Sequence, residues 1–213
     1  MRHIHAGRTV LTFVWLLMCR VATGASPVLR EYLEIAYQDG IPTSLTRRWE
    51  FHETSRTTTR ITKGDRVLII VVDRRLQTAK FWSSFTKDEV YVIDQADLQR
   101  SLNIADALRA SVPPESNWQS LGEKDIAGTR CKGWRVPASD GTAYAELWAD
   151  TEGGVAYSAS FVGGQLVSQT IRLRRAKPSQ SEVKLLTIPP NAKEKRLSTK
   201  DLQAILERFF GMK

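Results

Sequence analysis

Histidine and cysteine are nearly absent from this 213-residue chain, which holds three of the first and two of the second. His3, His5 and Cys19 all fall within the first 25 residues, so the remainder keeps only His52 and Cys131. A single histidine gives no histidine-based metal pair and no HExxH, and a nucleophile–histidine–acid set would need His52 and Cys131 to meet by coincidence. A single cysteine permits no disulfide within the chain, even in an oxidising compartment. The chain also has no phosphate-cradling GxxxxGK or GxGxxG run. Its carboxylates are scattered, and a glycosidase pair such as Asp73 with Asp94 or Asp150 has no spacing signature behind it. These absences point to a protein that is not an enzyme and holds neither cofactor nor metal, with His52 a structural strand residue and Cys131 a small buried one. No Asn-x-Ser/Thr sequon occurs, which favours a bacterial periplasm over a glycosylating secretory route.

The start of the chain is short of apolar length. Arg2 and Arg8 lead into the apolar run from Val10 to Cys19, about half of the ~20 residues a membrane-spanning helix needs. The small segment Val21-Ala22-Thr23-Gly24-Ala25 follows, which completes the layout of a signal peptide over residues 1–25, cleaved after Gly24 or Ala25. Met18 sits where a lipobox requires a small residue, and Arg20 directly follows Cys19, so lipoprotein anchoring is not expected. The expectation is export across the inner membrane to a Gram-negative type of periplasm, with peripheral membrane contact at most. Removing the leader takes away three arginines (Arg2, Arg8, Arg20) and no acid, so the formal net charge falls from +8 to +5. Residues 26–213 suit one domain, which at that size buries roughly 70% of its unfolded surface.

Basic clusters recur at Arg47-Arg48, Arg74-Arg75, Arg172 to Lys177 and Lys193 to Arg196. They read as solvated faces, or as a rim that attracts anionic head groups or an acidic envelope protein at close range. The sequence pI of about 9.7 alone would suggest nucleic acid, but an exported chain is not placed to meet it.

Three glycine turns punctuate the stretch from Glu123 to Lys177: Asp140-Gly141, Gly153-Gly154 and Gly163-Gly164. They supply the positive φ that tight hairpins need, and so predict a four-stranded antiparallel meander over 129–136, 142–150, 155–162 and 166–177. In the last strand Val167, Ile171 and Leu173 alternate with Ser168, Thr170, Arg172 and Arg174, one apolar face against one wet and basic face. Upstream, the period of two predicts strands from Thr43, over 55–62 and 67–72, and again over 77–82 and 89–94. Leu45, Trp49 and Phe51 share one face of the first of these, and Thr46, Arg48 and Glu50 the other. A further strand is expected over 182–188.

Helices are expected in three places. Val28, Leu29, Tyr32, Leu33 and Ala36 form a helical stripe between Pro27 and Asp39-Gly40. Leu98, Leu102, Ala105 and Leu108 form another over 95–110, stopped by Pro113-Pro114. The third covers 198–211, where Ser198 caps and Leu202, Ile205, Leu206, Phe209 and Phe210 make one apolar face. The class is therefore α+β, mainly antiparallel β, a single curved sheet covered by two to three helices. Trp49, Phe51, Phe81, Trp82, Trp134, Trp148 and Phe161 are spread over nearly every strand. A curved sheet with so little cover leaves apolar volume that forms a pocket.

The order of elements resembles the lipoprotein-carrier superfamily typified by LolA and LolB, nearest to its uncharacterised periplasmic relatives. The echoes are Glu123 to Gly128 leading to Cys131-Lys132-Gly133-Trp134, then Ala145 to Asp150, Thr170-Ile171-Arg172-Leu173 and Ile188-Pro189. The resemblance implies an open half-barrel whose mouth is plugged by helices and whose apolar cavity receives acyl chains, with the ligand carried rather than transformed. It points to a lipid, a lipoprotein acyl chain or another amphiphile, with Trp49, Phe51, Ile69, Val71, Trp134, Leu147 and Trp148 as lining residues. Leu202, Ile205, Leu206, Phe209 and Phe210 would then close the cavity as a lid. The tail after Pro190 departs from the carrier pattern. The alternative is a non-enzymatic envelope interaction module whose cavity is filled by its own side chains.

Overall fold

A computed structural model of the chain describes residues 27–93, 117–138 and 141–197, together with Ile205, Arg208 and Phe209. The expected leader over 1–25 and the expected helix over 95–110 lie outside the described residues. So do Asp94, Leu202, Leu206 and Phe210.

Among the described residues, twelve strands form one open sheet. They are β1 (Val28–Gln38), β2 (Ile41–His52), β3 (Arg56–Lys63), β4 (Arg66–Asp73), β5 (Thr78–Ser83), β6 (Glu89–Ile93), β7 (Gln119–Ile126), β8 (Thr129–Pro137), β9 (Ala143–Asp150), β10 (Val155–Val162), β11 (Gln165–Ala176) and β12 (Lys193–Arg196). Their spatial order is β12-β6-β5-β4-β3-β2-β1-β11-β10-β9-β8-β7, antiparallel throughout except for the parallel pairing of β12 with β6. Two runs of consecutive hairpins, β1–β6 and β7–β11, are thus joined where β1 pairs with β11. Consecutive strands β6 and β7 stand near opposite ends of the order.

Both edges carry features that discourage edge-to-edge association. β12 is Lys-Glu-Lys-Arg, exposed throughout, and β7 carries Glu123-Lys124-Asp125 after a register shift between Ser120 and Gly122. Charge and irregularity at an edge blunt its pairing with another chain. The short β12 is held by Lys193 N–H to the Asp88 carbonyl (2.8 Å), Leu197 N–H to the Val92 carbonyl (3.0 Å), and a Lys80–Glu194 ion pair.

Three sequence expectations are corrected. Residues 28–38 form strand β1, not a helix. The reason lies in burial: Leu29, Arg30, Glu31 and Tyr32 are all buried in succession, so the segment is covered on both faces and has no clean period of two to read. Residues 182–188 are not a strand. Helix α1 (Gln180–Leu185) starts there, with Ser179 and Glu182 forming a reciprocal capping box. Finally, the cover of two to three helices reduces, among the described residues, to α1 and the helical positions Ile205, Arg208 and Phe209. Strand β7 is a further element, absent from the sequence expectations. It joins β8 through Ala127 and Gly128, whose φ angles of 48° and 73° make the tight hairpin that its polar composition hides.

Residues directly opposite in an antiparallel pair point to the same side, so the register defines two faces. One holds Ile61, Leu68, Ile70 and Phe81 and packs against Phe209 and Ile205. It is called the Phe209 face below. The other holds Leu29 and Phe51, packs against Leu186 at the end of α1, and is called the Leu186 face.

Candidate ligand-binding face

The seven candidate lining residues do not share a side. Trp49 lies in one row with Arg60, Ile69, Trp82 and Val90, and Phe51 in the next with Thr58 and Val71, all on the Leu186 face. Trp148 belongs to this face as well, through Tyr157, Ile171, Leu33 and Arg47. Trp134 and Leu147, opposite each other in β8 and β9, follow through Ser158, Thr170, Glu34 and Thr46 to the Phe209 face. Trp148 is buried, with its ring against Gly133 and the Lys124 ammonium 3.9 Å from its ring centroid. Gly133 is required there, because a Cβ would stand 2.6 Å from the ring carbons.

Ile205 and Phe209, the described members of the expected lid, are both buried on the Phe209 face. Phe209 sits on Ile61 and Leu68, and Ile205 on Ala79, Phe81, Ile93 and Leu197, with Ile70, Val72, Phe85 and Tyr91 around them. This apolar row spans β3 to β6. It is the side of the sheet opposite Trp49, Phe51, Ile69 and Val71. Alternation in β3 and β5 signals it through Ile61, Phe81 and Ala79, but a threonine-rich β3 masks the apolar residue in its midst.

Beyond Ile61 the same face changes character. Arg48 lies opposite Ile61, Glu50 opposite Thr59 and His52 opposite Thr57, and on the other side Tyr32 and Arg30 face Arg48 and Glu50. Arg30, Arg48, Glu50 and His52 are all buried. Arg48 donates to Glu34 from its Nε (2.6 Å), pairs with Glu50, and lays its guanidinium 4.2 Å from the Tyr32 ring centroid. Arg172 reaches Asp150 at 2.5 Å, and Asp150 also accepts from the Gly154 N–H at 2.7 Å. The alternation in β11 puts Arg172 on a wet face and Leu173 on an apolar one. Arg172 keeps its place opposite Tyr32, on the other side from Ile171, but that side is buried there, and Leu173, left unpaired by the register shift opposite Glu31 and Tyr32, is exposed.

Electrostatics decides what these groups can do. Burial lowers the His52 pKa to about 4, helped by Arg30, Arg74 and Arg48, so the ring is neutral at neutral pH. Its Nε2 lies 3.3 Å from Glu50 Oε2 and its Nδ1 3.5 Å from the Thr57 hydroxyl. Burial pushes the Asp150 carboxyl up, but Arg172, the Gly154 N–H and Arg30 together outweigh it and hold the carboxyl below its ordinary range. Burial raises the Cys131 pKa, and its thiol donates to the Thr129 carbonyl at 3.3 Å. A buried thiol is a poor nucleophile, and an arginine-paired carboxylate a poor proton donor. Asp73 at the end of β4 and Asp150 at the end of β9 stand six strand positions apart, which separates that glycosidase pairing.

Comparison with known proteins gives a likeness of fold. No protein-family model matches the chain, and no curated protein sequence matches it. An uncharacterised conserved protein from Thermus thermophilus superimposes with a TM-score of 0.54 at 10% identity, over 90% of this chain and 99% of that one. PNGF-II superimposes with a TM-score of 0.52 at 9% identity over 85% of this chain, which spans about a third (33%) of its length. A LolA superfamily protein from Nitrosomonas europaea matches at 9% identity and a TM-score of 0.33, over 83% and 96% of the two chains. The two superpositions above 0.5 show a shared fold. No described helix is long and apolar enough to cross a membrane.

Proposed function

We propose that this protein is an exported, non-enzymatic binding protein of the bacterial envelope that carries or senses an amphiphile through its acyl chain. The acyl chain occupies the apolar row of the Phe209 face, and Ile205 and Phe209 are part of the lid that vacates it. The observation that most supports this reading is the packing of two large apolar side chains, from a segment far along the sequence, onto Ile61, Leu68, Phe81 and Ile93.

Magnitudes favour a lid over a fixed part of the core. Burying Ile205 and Phe209 contributes on the order of 3–6 kcal/mol, at ~1.5–3 kcal/mol each. That is less than the roughly 5–15 kcal/mol of a whole domain, so the contact opens without the sheet unfolding. An acyl chain recovers the loss with about four to eight buried methylenes at ~0.8 kcal/mol apiece. Trp134 and Leu147 extend the same face at its far end. Trp49, Phe51, Ile69, Val71 and Trp148 would line only a ligand bound to the Leu186 face.

Two measurements test this. Native mass spectrometry of the mature protein, gently purified from its own periplasm, is expected to show a mass excess that disappears on organic extraction. A variant ending at Leu197 is expected to bind an apolar dye while keeping its far-ultraviolet strand signal. Global unfolding of that variant would sink the lid. A bare mass with no uptake of added fatty acid would favour the envelope interaction module.

A further inference from the structure

Next to the lid lies a cavity of about 400 Å³ lined by Asp65, Arg66, Ser84, Phe85, Lys87 and Arg208. Its walls come from the β3–β4 turn, the β5–β6 loop and the C-terminal segment, three parts of the chain that meet only in the fold. Three cations face one carboxylate there, an excess of two positive charges. Among the described residues, neither Lys87 nor Arg208 has a carboxylate partner, although ion pairs are frequent elsewhere on this surface.

The details prepare the site for an oxyanion. Ser84 Oγ accepts from the Val67 N–H at 3.0 Å, which leaves its own hydroxyl proton to donate. The Lys87 carbonyl accepts from Trp82 Nε1 at 3.1 Å, fixing the loop that carries the ammonium. The Arg208 guanidinium lies 4.9 Å from the Phe85 ring centroid, which holds its plane over the apolar floor. Arg66 Nη1 donates to the carbonyls of Arg208 and Phe209, at 2.9 and 3.2 Å. One cation thus lines the cavity and also holds the backbone of the lid.

We infer that the cavity of Arg66, Lys87, Arg208 and Ser84 binds a phosphate-type oxyanion, either free phosphate or the head group of a phospholipid. Guanidinium groups bind such oxyanions in pairs of parallel hydrogen bonds, and an ammonium adds a point charge. Because the oxyanion competes with two carbonyls for Arg66, its binding weakens the lid at Phe209. An anionic head group would in this way open the row that its own acyl chain enters. That last coupling rests on the acyl-binding reading above; the oxyanion site itself does not.

The test uses the mature wild-type chain and a K87Q/R208Q variant, whose two changes sit at exposed cations without carboxylate partners. Inorganic phosphate, vesicles of phosphatidylcholine, and vesicles of phosphatidylcholine with phosphatidic acid are titrated at low and at 0.5 M salt, with intrinsic tryptophan fluorescence as the reporter. Saturable binding of phosphate, weakened at least tenfold in the variant and by salt, supports the site with a free-anion source. Binding to phosphatidic acid vesicles alone, with the same dependence on Lys87 and Arg208, supports it with a lipid source. Equal binding by wild type and variant, or no response to any of the three, overturns it. Uptake of a neutral monoglyceride with no phosphate response would leave the acyl-binding reading standing and this one overturned.

Discussion

One sheet face carries two neighbouring regions built on opposite principles. From β3 to β6 it is apolar and is covered by Ile205 and Phe209. From β3 to β1 and on to Arg172 it is charged: Arg30, Arg48, Arg172, Glu50 and a neutral His52 are buried, Glu34 is half-buried, and Arg172 reaches Asp150 at the end of β9. Thr57 and Thr59 mark the border. Apolar contacts are non-directional and replaceable, so another apolar group can substitute for Phe209 at little net cost. Buried ion pairs are directional and fail when one member leaves, since the survivor remains charged and desolvated. The apolar half is therefore the part suited to exchange one partner for another, and the charged half the part suited to hold the two hairpin runs in register where β1 meets β11.

The largest effect expected from breaking this contrast is at Arg172. Arg172→Ala leaves Asp150 buried without its partner and should cost about 3–5 kcal/mol of global stability, read as a lowered midpoint in urea. Phe209→Ala removes as large a side chain, worth about 3–5 kcal/mol where a core residue is concerned. Here the loss should appear locally, as increased dye binding and faster amide exchange near Phe209, with the urea midpoint of the sheet moved far less. Equal midpoint shifts for the two variants would erase the distinction between a lid and a core.

The charged half also sets a pH dependence. His52 titrates near 4 when folded and near 6.5 when unfolded, so between those values the unfolded chain holds the extra proton. Stability from this group is complete above pH 6.5 and falls as the pH drops toward 4, by about 3 kcal/mol at most. Asp150, whose pKa is lowered, acts in the same direction further into acid. A His52→Gln variant should flatten urea midpoints between pH 6.5 and 4 and keep the steeper loss below. An unchanged slope would mean that His52 is not the group that titrates.

These two regions are unequally legible in the sequence. The meander from β8 to β11 is readable because its turns carry glycine where positive φ is required, a purely local signal. The apolar strands β4 and β5 are readable for the same reason of local pattern. The charged region is not, because the neutralisation of Arg30, Arg48 and Arg172 depends on carboxylates that lie in other strands or at other registers. A window centred on β1 sees only Leu29, Tyr32 and Leu33 at helical spacing, and a helix follows from that pattern. The side of Arg172 follows the alternation, but its burial depends on Tyr32 and Asp150 in other strands, and the exposure of Leu173 on a single bulge that leaves no mark in composition. In contrast, α1 has its signal on the page in Ser179-Gln180-Ser181-Glu182, a capping box that also passes for part of a strand. Of the expected lid stripe, Ile205 and Phe209 are buried. Their partners stay hidden, because which side of β3 and β4 they meet depends on a chain crossing that no local period encodes.

The smallest of the expected effects lies in the other half of the sheet, on the face opposite the lid. Gly133→Ala places a methyl 2.6 Å from carbons of the Trp148 ring, so the ring must move away from β8 or the two strands must part. Overpacking of this kind costs about 1–3 kcal/mol. Trp148 also lies under the Lys124 ammonium, so the displaced ring should shift its fluorescence as well as lower the urea midpoint. Acyl uptake should be unchanged if the ligand binds on the Phe209 face, because Trp148 belongs to the Leu186 face. A loss of uptake in this variant would move the ligand to the side of Trp49, Phe51, Ile69 and Val71, and leave Ile205 and Phe209 as ordinary core.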